Sequence, residues 1–181
     1  MNSEIGFILA KLISKIKHDP KEIDKLNFFK KEGVKFPGGG DGCYIYSNIA
    51  KNEPCLITIG NNTTISGNVE FVTHDNSISK VLPEYSDLFG RITIGHNCFI
   101  GARSVIMYGC TITDNVIVAA GSVVTKSIKE NNVIVGGNPA RIISTWDKFS
   151  KNSKNFAWDL KTISKENLIS ELQKNIKLVE R

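Results

Sequence analysis

The sequence predicts a mainly β fold, a three-sided solenoid of short parallel strands with α-helices at both ends, and three observations predict it. Ile94, Ile100, Ile106, Ile112, Val118 and Val124 stand six residues apart without a break, and Ile59, Ile65 and Phe71 keep the same step upstream. Four residues after these positions come Thr63, Val69, Cys98, Ser104, Cys110, Val116 and Ser122, nearly all small. At the two ends of the chain the apolar residues recur instead at helical spacing. Neither a helix nor an isolated strand repeats at six. With 41% of residues apolar, six such positions arise by chance with a probability of about 0.005 before any choice of register.

The elements follow in order. Ile5, Ile8, Leu9, Leu12, Ile13 and Ile16 form one stripe, with Lys11, Lys15 and Lys17 largely off it, which predicts an amphipathic helix. Asp19-Pro20-Lys21-Glu22 offers a cap, a proline at the first helical position and an acid in the first turn, so a second helix is expected to about Lys31. The glycines of Gly38 to Gly42 are expected to end it, and residues 1–40 are expected to form an N-terminal helical segment. Residues 41–143 are expected to form the coil, with large aliphatics on strands pointing inward, small residues near the corners, and stacked coils paired through parallel ladders. Gly60, Gly95, Gly101 and Gly121 fall where the backbone must turn or approach closely. Cys98 and Cys110 share the small register and read as buried apolar residues rather than nucleophiles.

The register breaks after His74 and resumes at Ile94. A solenoid expels such a segment from its wall, so residues 77–92, with Pro83, Tyr85, Leu88 and Phe89, are expected to form an extruded loop of the kind that carries function. A second interruption, Ser127 to Asn132, precedes Val133-Ile134-Val135 and Gly136-Gly137-Asn138-Pro139-Ala140-Arg141. Residues 144–181 are expected to be helical, since Ser164 precedes Leu168, Ile169, Leu172, Ile176 and Val179 on one face. Packing or oligomer contact explains both terminal helices better than membrane binding does.

Composition narrows the function classes. Twenty-three Lys and Arg against eighteen Asp and Glu give a net charge of +5, which favours anionic ligands but is too diffuse for nucleic acid. The lysines follow the first apolar residues, unlike the charge order of a signal peptide, and no apolar run approaches the roughly 20 residues that span a bilayer. Cys43, Cys55, Cys98 and Cys110 show neither zinc spacing nor disulfide density. A cytoplasmic protein with no transmembrane segment is expected, and peripheral membrane contact stays open.

The hexads, the loop expelled after a histidine, and the segment Gly137-Asn138-Pro139-Ala140-Arg141 together resemble the hexapeptide-repeat acyltransferases. Similarity is greatest to the galactoside/maltose acetyltransferase type and the related O-acetyltransferases of bacterial capsule and lipopolysaccharide loci, over about Cys43 to Ile143. The resemblance implies a left-handed β-helix, a homotrimer, and an acetyl-CoA site between neighbouring subunits. It implies acetyl transfer to a sugar hydroxyl of a surface polysaccharide or its precursor. His74 matches the family's catalytic histidine, and neutral imidazole is a suitable base near pH 7. By the same matching, Asn48 is either a contact to acceptor or intermediate or a turn asparagine. The backbone amides of Ala102 and Ala120 would line the pantetheine arm of acetyl-CoA. Lys126 and Arg141 would meet its phosphates, the alternative being ordinary surface charge. Phe99 stands where the family often has Trp, which keeps an apolar wall and loses an indole donor.

Asp75 is an unsuitable partner for His74, because adjacent strand residues point to opposite faces. No metal is expected: a γ-type carbonic anhydrase needs a cluster of histidines, and the chain has only His18, His74 and His96. The competing functions are N-acetylation of a nucleotide-linked amino sugar and a purely structural β-helix, which would need neither the loop-mouth histidine nor the Gly137-to-Arg141 segment.

Overall fold

The computed structural model describes residues 20–174 and 177–179. The helix expected over Ile5 to Ile16, and His18, lie outside the described residues. Two compact units divide the chain: Asp24–Trp146 forms one, and the described residues from Asp147 onward belong to the other.

Helix α1, Pro20–Glu32, starts at its proline as expected. It ends at Glu32, within a residue of the expected Lys31, and the glycine that stops it is Gly33 rather than the run from Gly38 to Gly42. Gly33 takes φ +109, its N–H donates to the Lys30 carbonyl at 3.1 Å, and the Val34 N–H reaches back to the Phe29 carbonyl at 3.0 Å. These two bonds are the Schellman pattern, and the accompanying apolar contact is supplied by Phe29 and Val34, both buried.

The strands are short. In order they are β1 (Tyr44–Ile45), β2 (Ile57–Ile59), β3 (Thr64–Ile65), β4 (Glu70–Val72), β5 (His74–Asp75), β6 (Leu88–Phe89), β7 (Ile92–Ile94), β8 (Phe99–Ile100), β9 (Val105–Met107), β10 (Thr111–Ile112), β11 (Val116–Val118), β12 (Val123–Val124), β13 (Val133–Gly136) and β14 (Arg141–Thr145). Three parallel sheets collect them: sheet A orders β2-β7-β10, sheet B orders β1-β3-β8-β11-β13, and sheet C orders β4-β9-β12. From β2 the chain visits A, B and C in turn, then repeats the circuit, which makes a three-sided coil. Ile94 pairs with Ile112, Ile100 with Val118, and Ile106 with Val124. One circuit therefore takes 18 residues, three hexads.

Every aliphatic of the six-residue register is buried, from Ile59 to Val124, and so is every residue of the small register. Strand alternation sends one side chain of each pair inward, and stacking makes those inward positions a continuous column. At the corner leading from sheet A to sheet B the chain needs a left-handed residue. Asn62, Asn97 and Asn115 supply it with φ of 54, 54 and 57, a conformation that asparagine tolerates better than other side chains. Their amides also form a ladder, Asn62 Nδ2 donating to Asn97 Oδ1 at 2.6 Å and Asn97 Nδ2 to Asn115 Oδ1 at 2.8 Å. Glycine is required where coils touch: a Cβ on Gly101 would collide with the Ala120 amide nitrogen in the next coil.

Boundaries differ in detail from those read in the sequence. Lys35 already bridges to Thr58, so coil pairing begins before residue 41. Ile92, the last residue of the expected loop 77–92, is fully buried as the first residue of β7. Residues 144 and 145 are not helical, because β14 turns back and pairs antiparallel with β13. The interruption at 127–132 is partial, since Ile128 bridges to Ile112 in the sheet A column.

In the second unit, α2 covers Trp146–Ser153 and α3 covers Lys165–Gln173. Ser164 caps α3 by accepting the Asn167 N–H at 3.2 Å. Leu168 is buried, while Val179 lies beyond the helix. Among the described residues no helix is long and apolar enough to cross a membrane.

Candidate active site

At the end of β4 the chain leaves the coil at the corner between sheets C and A. Thr73 is still buried, and its carbonyl accepts the Gly90 N–H at 3.0 Å. That bond closes the neck of the loop. Beyond it, β5 and β6 form an antiparallel stem in which His74 faces Phe89 and Asp75 faces Leu88. A single 3-10 turn, Asn76–Lys80, follows.

The His74 imidazole is oriented from the preceding coil. Glu53 occupies the same corner one circuit earlier, just ahead of β2. Its Oε2 lies 2.9 Å from His74 Nδ1 and accepts the Thr73 hydroxyl at 2.5 Å. A carboxylate only accepts, so the Nδ1 proton belongs on the side of Glu53, and Nε2 keeps its lone pair. The hydrogen bond to Glu53 raises the His74 pKa above the ordinary imidazole value, assisted by the charges of Glu53, Asp87 and Asp75 and opposed by desolvation. Glu53 in turn is held below the usual carboxylate range, first by the Thr73 hydroxyl and then by His74. The two side chains remain 38% and 32% exposed, so the pair sits at the surface with water or a ligand able to reach it. This arrangement suits a general base that works through Nε2.

Asp75 does point away, as strand geometry required. Its Oδ1 accepts the Ser77 N–H at 2.8 Å and its Oδ2 accepts the Tyr108 hydroxyl at 3.3 Å. Tyr108 stands at the same corner in the next coil. The Ser77 bond, first, holds the Asp75 carboxyl below its ordinary value, and burial pushes the Tyr108 phenol up.

Other residues singled out in the sequence fall in several places. Ala102 and Ala120 are exposed at the corner between sheets B and C, stacked in successive coils. Among the described residues neither amide finds a protein acceptor. Arg141 opens β14 opposite Gly136, on that same corner, with Nη1 donating to the Ala140 carbonyl at 2.8 Å. Lys126 is exposed after β12, at the corner between C and A, two circuits beyond His74. One chain thus puts His74 and Lys126 on one edge of sheet C, and Ala102, Ala120 and Arg141 on the other. Asn48 is exposed, and its Oδ1 accepts the Ala50 N–H at 3.1 Å, the geometry of a turn asparagine. His96 is structural: its Nδ1 accepts the Asn61 N–H at 3.0 Å, and its own N–H donates to Asp114 Oδ1 at 2.7 Å.

The chain is similar to several known proteins. Residues 91–126 match the family described as the hexapeptide repeat of succinyl-transferase. Protein CapG of Staphylococcus aureus is 43% identical over 101 residues, covering 54% of this chain and 58% of that protein. Galactoside O-acetyltransferase of Escherichia coli (strain K12) is 36% identical over 105 residues, covering 58% of this chain and 51% of that protein. The chain spans about half the length of the curated relatives it matches. Among solved structures, a galactoside acetyltransferase in complex with coenzyme A is 28% identical, covers 80% of this chain and 82% of its own, and superposes with a TM-score of 0.53. A hexapeptide-repeat acetyltransferase from Vibrio cholerae shares the fold, with a TM-score of 0.54 at 20% identity over 80% of this chain and 94% of its own. The chain thus carries a hexapeptide repeat over residues 91–126 and is similar, in sequence and in coil, to these acetyltransferases.

Proposed function

We propose that this protein is an acetyl-CoA-dependent O-acetyltransferase acting on a sugar hydroxyl. The observation that carries the reading is the Glu53–His74 pair at the neck of the expelled loop, with 38% of the His74 side chain exposed and no protein partner for Nε2 among the described residues. His74 Nε2 takes the proton of the acceptor hydroxyl as its oxygen attacks the thioester carbonyl. A new C–O bond forms, the C–S bond breaks, and the departing thiolate regains a proton from the imidazolium. Glu53 keeps the ring in its working tautomer and stabilises the positive charge that His74 carries in between.

A sugar acceptor is supported by the galactoside O-acetyltransferase of Escherichia coli among the relatives. A surface polysaccharide or its precursor is the narrower reading, supported by the resemblance of the hexads, loop and Gly137-to-Arg141 segment to capsule and lipopolysaccharide O-acetyltransferases. Acetyl-CoA as donor is supported by the galactoside acetyltransferase solved with coenzyme A and by the residues present: two exposed amides without protein acceptors, at Ala102 and Ala120, and two exposed cations, Lys126 and Arg141. Asn48, whose Oδ1 is held by its own turn, has its Nδ2 left for an acceptor oxygen.

His74 and Lys126 lie on one edge of sheet C, and the other proposed carrier contacts, Ala102, Ala120 and Arg141, lie on the opposite edge. That separation supports a homotrimer in which the edge of one chain completes the site on the opposite edge of its neighbour, and the left-handed β-helix is supported by the similarity to hexapeptide-repeat acetyltransferases. Most outward residues of sheet C fit a covered face, for Val72, Val105, Met107 and Val123 are half-buried and apolar, with the exposed Glu70 at its margin. Light scattering at three chain masses is the expected result. The buried thiols of Cys98 and Cys110 suit a reducing, cytoplasmic setting.

The deciding experiment is thiol release from acetyl-CoA with sugar acceptors. His74→Ala is expected to lower kcat about 10²–10⁴-fold while leaving CoA affinity and folding intact. Unchanged turnover in that variant would remove His74 from the mechanism.

A further inference from the structure

We infer that Phe89 is the platform on which the acceptor sugar stacks, the C–H face of its ring on the phenyl and its hydroxyl edge turned toward His74. The inference rests on the acyl-transfer reading of His74. Phe89 is 61% exposed although it is large and apolar. It is the cross-strand partner of the proposed base, with ring centroids 5.8 Å apart and planes tilted by 49°. A ligand that covers the phenyl face is therefore beside the imidazole.

The ring cannot retreat into the coil, because its stem is fixed at both sides. On the β6 side, the next residue, Gly90, donates to the Thr73 carbonyl at 3.0 Å. It also packs so closely that a Cβ there would fall 2.5 Å from the Gly109 amide nitrogen. On the β5 side, Asp75 is tied to the Ser77 amide and the Tyr108 hydroxyl. Val81, Leu82 and Tyr85 are exposed further out on the same loop, but among the described residues their backbone bonds stay within the loop.

The chemistry selects the ligand. A pyranose chair has faces of C–H bonds and an edge of hydroxyls. With its face on a phenyl ring it buries apolar area and turns its edge sideways, toward the neighbouring imidazole. A three-carbon alcohol offers no such face, so it gains little from Phe89 and its hydroxyl is not oriented by it.

The test uses the full chain with methyl galactopyranoside and with glycerol, reading acetyl transfer, both KM values and the oligomeric mass for Phe89→Ala, Phe89→Leu and Phe89→Trp. Phe89→Ala is expected to raise the pyranoside KM about tenfold, with the acetyl-CoA KM and the mass unchanged. Phe89→Trp restores the pyranoside KM and Phe89→Leu does not, while glycerol is a poor acceptor for every variant. Leucine serving as well as tryptophan would overturn stacking, and a changed mass with an unchanged pyranoside KM would assign the ring to a contact between copies. Wild-type protein using glycerol as readily as the pyranoside would overturn the acceptor class while leaving acyl transfer standing. No thiol release with any acceptor would instead overturn the reading of His74, and the inference with it.

Discussion

Replacing Glu53 with Gln removes the charge that faces His74 while keeping an oxygen able to accept from Thr73 and from Nδ1. The carboxylate is the first cause of the raised His74 pKa. The base works in its neutral form, so activity in the wild type should fall as pH drops through a value above the ordinary imidazole pKa of about 6.5. In Glu53→Gln that acidic limb moves down toward the ordinary value. The plateau at higher pH falls as well, because the imidazolium formed during transfer loses its counter-charge. With 38% and 32% of the two side chains exposed, water screens the pair. The plateau loss should therefore be about tenfold, a fraction of the 10²–10⁴-fold that a general base supplies. Glu53→Ala also leaves the Nδ1–H and the Thr73 hydroxyl without their acceptor, so the ring can turn, and a loss of about 10²-fold is expected. The assay is kcat/KM for acetyl transfer from about pH 5.5 to 8.5. A limb that stays in place with an unchanged plateau in Glu53→Gln would refute the proposed coupling.

Two further outcomes follow from the same geometry. Lys126→Ala and Arg141→Ala should each raise the KM for acetyl-CoA about 10-fold or more with little change in kcat, because phosphate contacts are made equally in ground and transition states. Dephospho-CoA should then show which cation meets which phosphate, and a variant that instead lost acceptor affinity would belong to the other substrate. Ile100→Ala opens a void in the middle of a column, between Ile65 and Val118, where Ile100 is fully buried. About 2–5 kcal/mol of stability should be lost in urea unfolding, and a loss under about 1 kcal/mol would mean that the coil collapses around the gap.

The coil was legible because a 18-residue circuit divides into three equal sides, so the inward positions recur at one interval along the chain. Burial of Ile94, Ile100 and Ile106 together with Cys98, Ser104 and Cys110 follows from that interval alone. His74 was legible as the residue at which the interval fails. Glu53 was not, because its contact with His74 is made across a coil boundary, 21 residues away, and the coil before β2 carries no regular hexads from which to count. The only available signal was a carboxylate one circuit upstream at the same corner, visible once Ile59 and Ile65 are set beside Ile94 and Ile100. The end of α1 near Lys31 was legible, but which glycine stops it was hidden for a different reason. Several glycines follow the helix, and the choice among them was made by the packing of Val34 on Phe29, a tertiary matter.

The neck closed by Thr73 and Gly90 has a consequence for how such a protein changes over time. Ile59 stacks on Ile94 in the same register as Ile94 on Ile112, although 35 residues separate the first pair and 18 the second. The coil is thus indifferent to what hangs between Asp75 and Leu88. Substitutions, insertions and deletions in that stretch leave the columns of the interior untouched, so selection can try new acceptors there without risking the fold. A transplanted loop joined at Thr73 and Gly90 would inherit its oriented histidine only if it brought that histidine in the first position after the neck, where Glu53 waits for it.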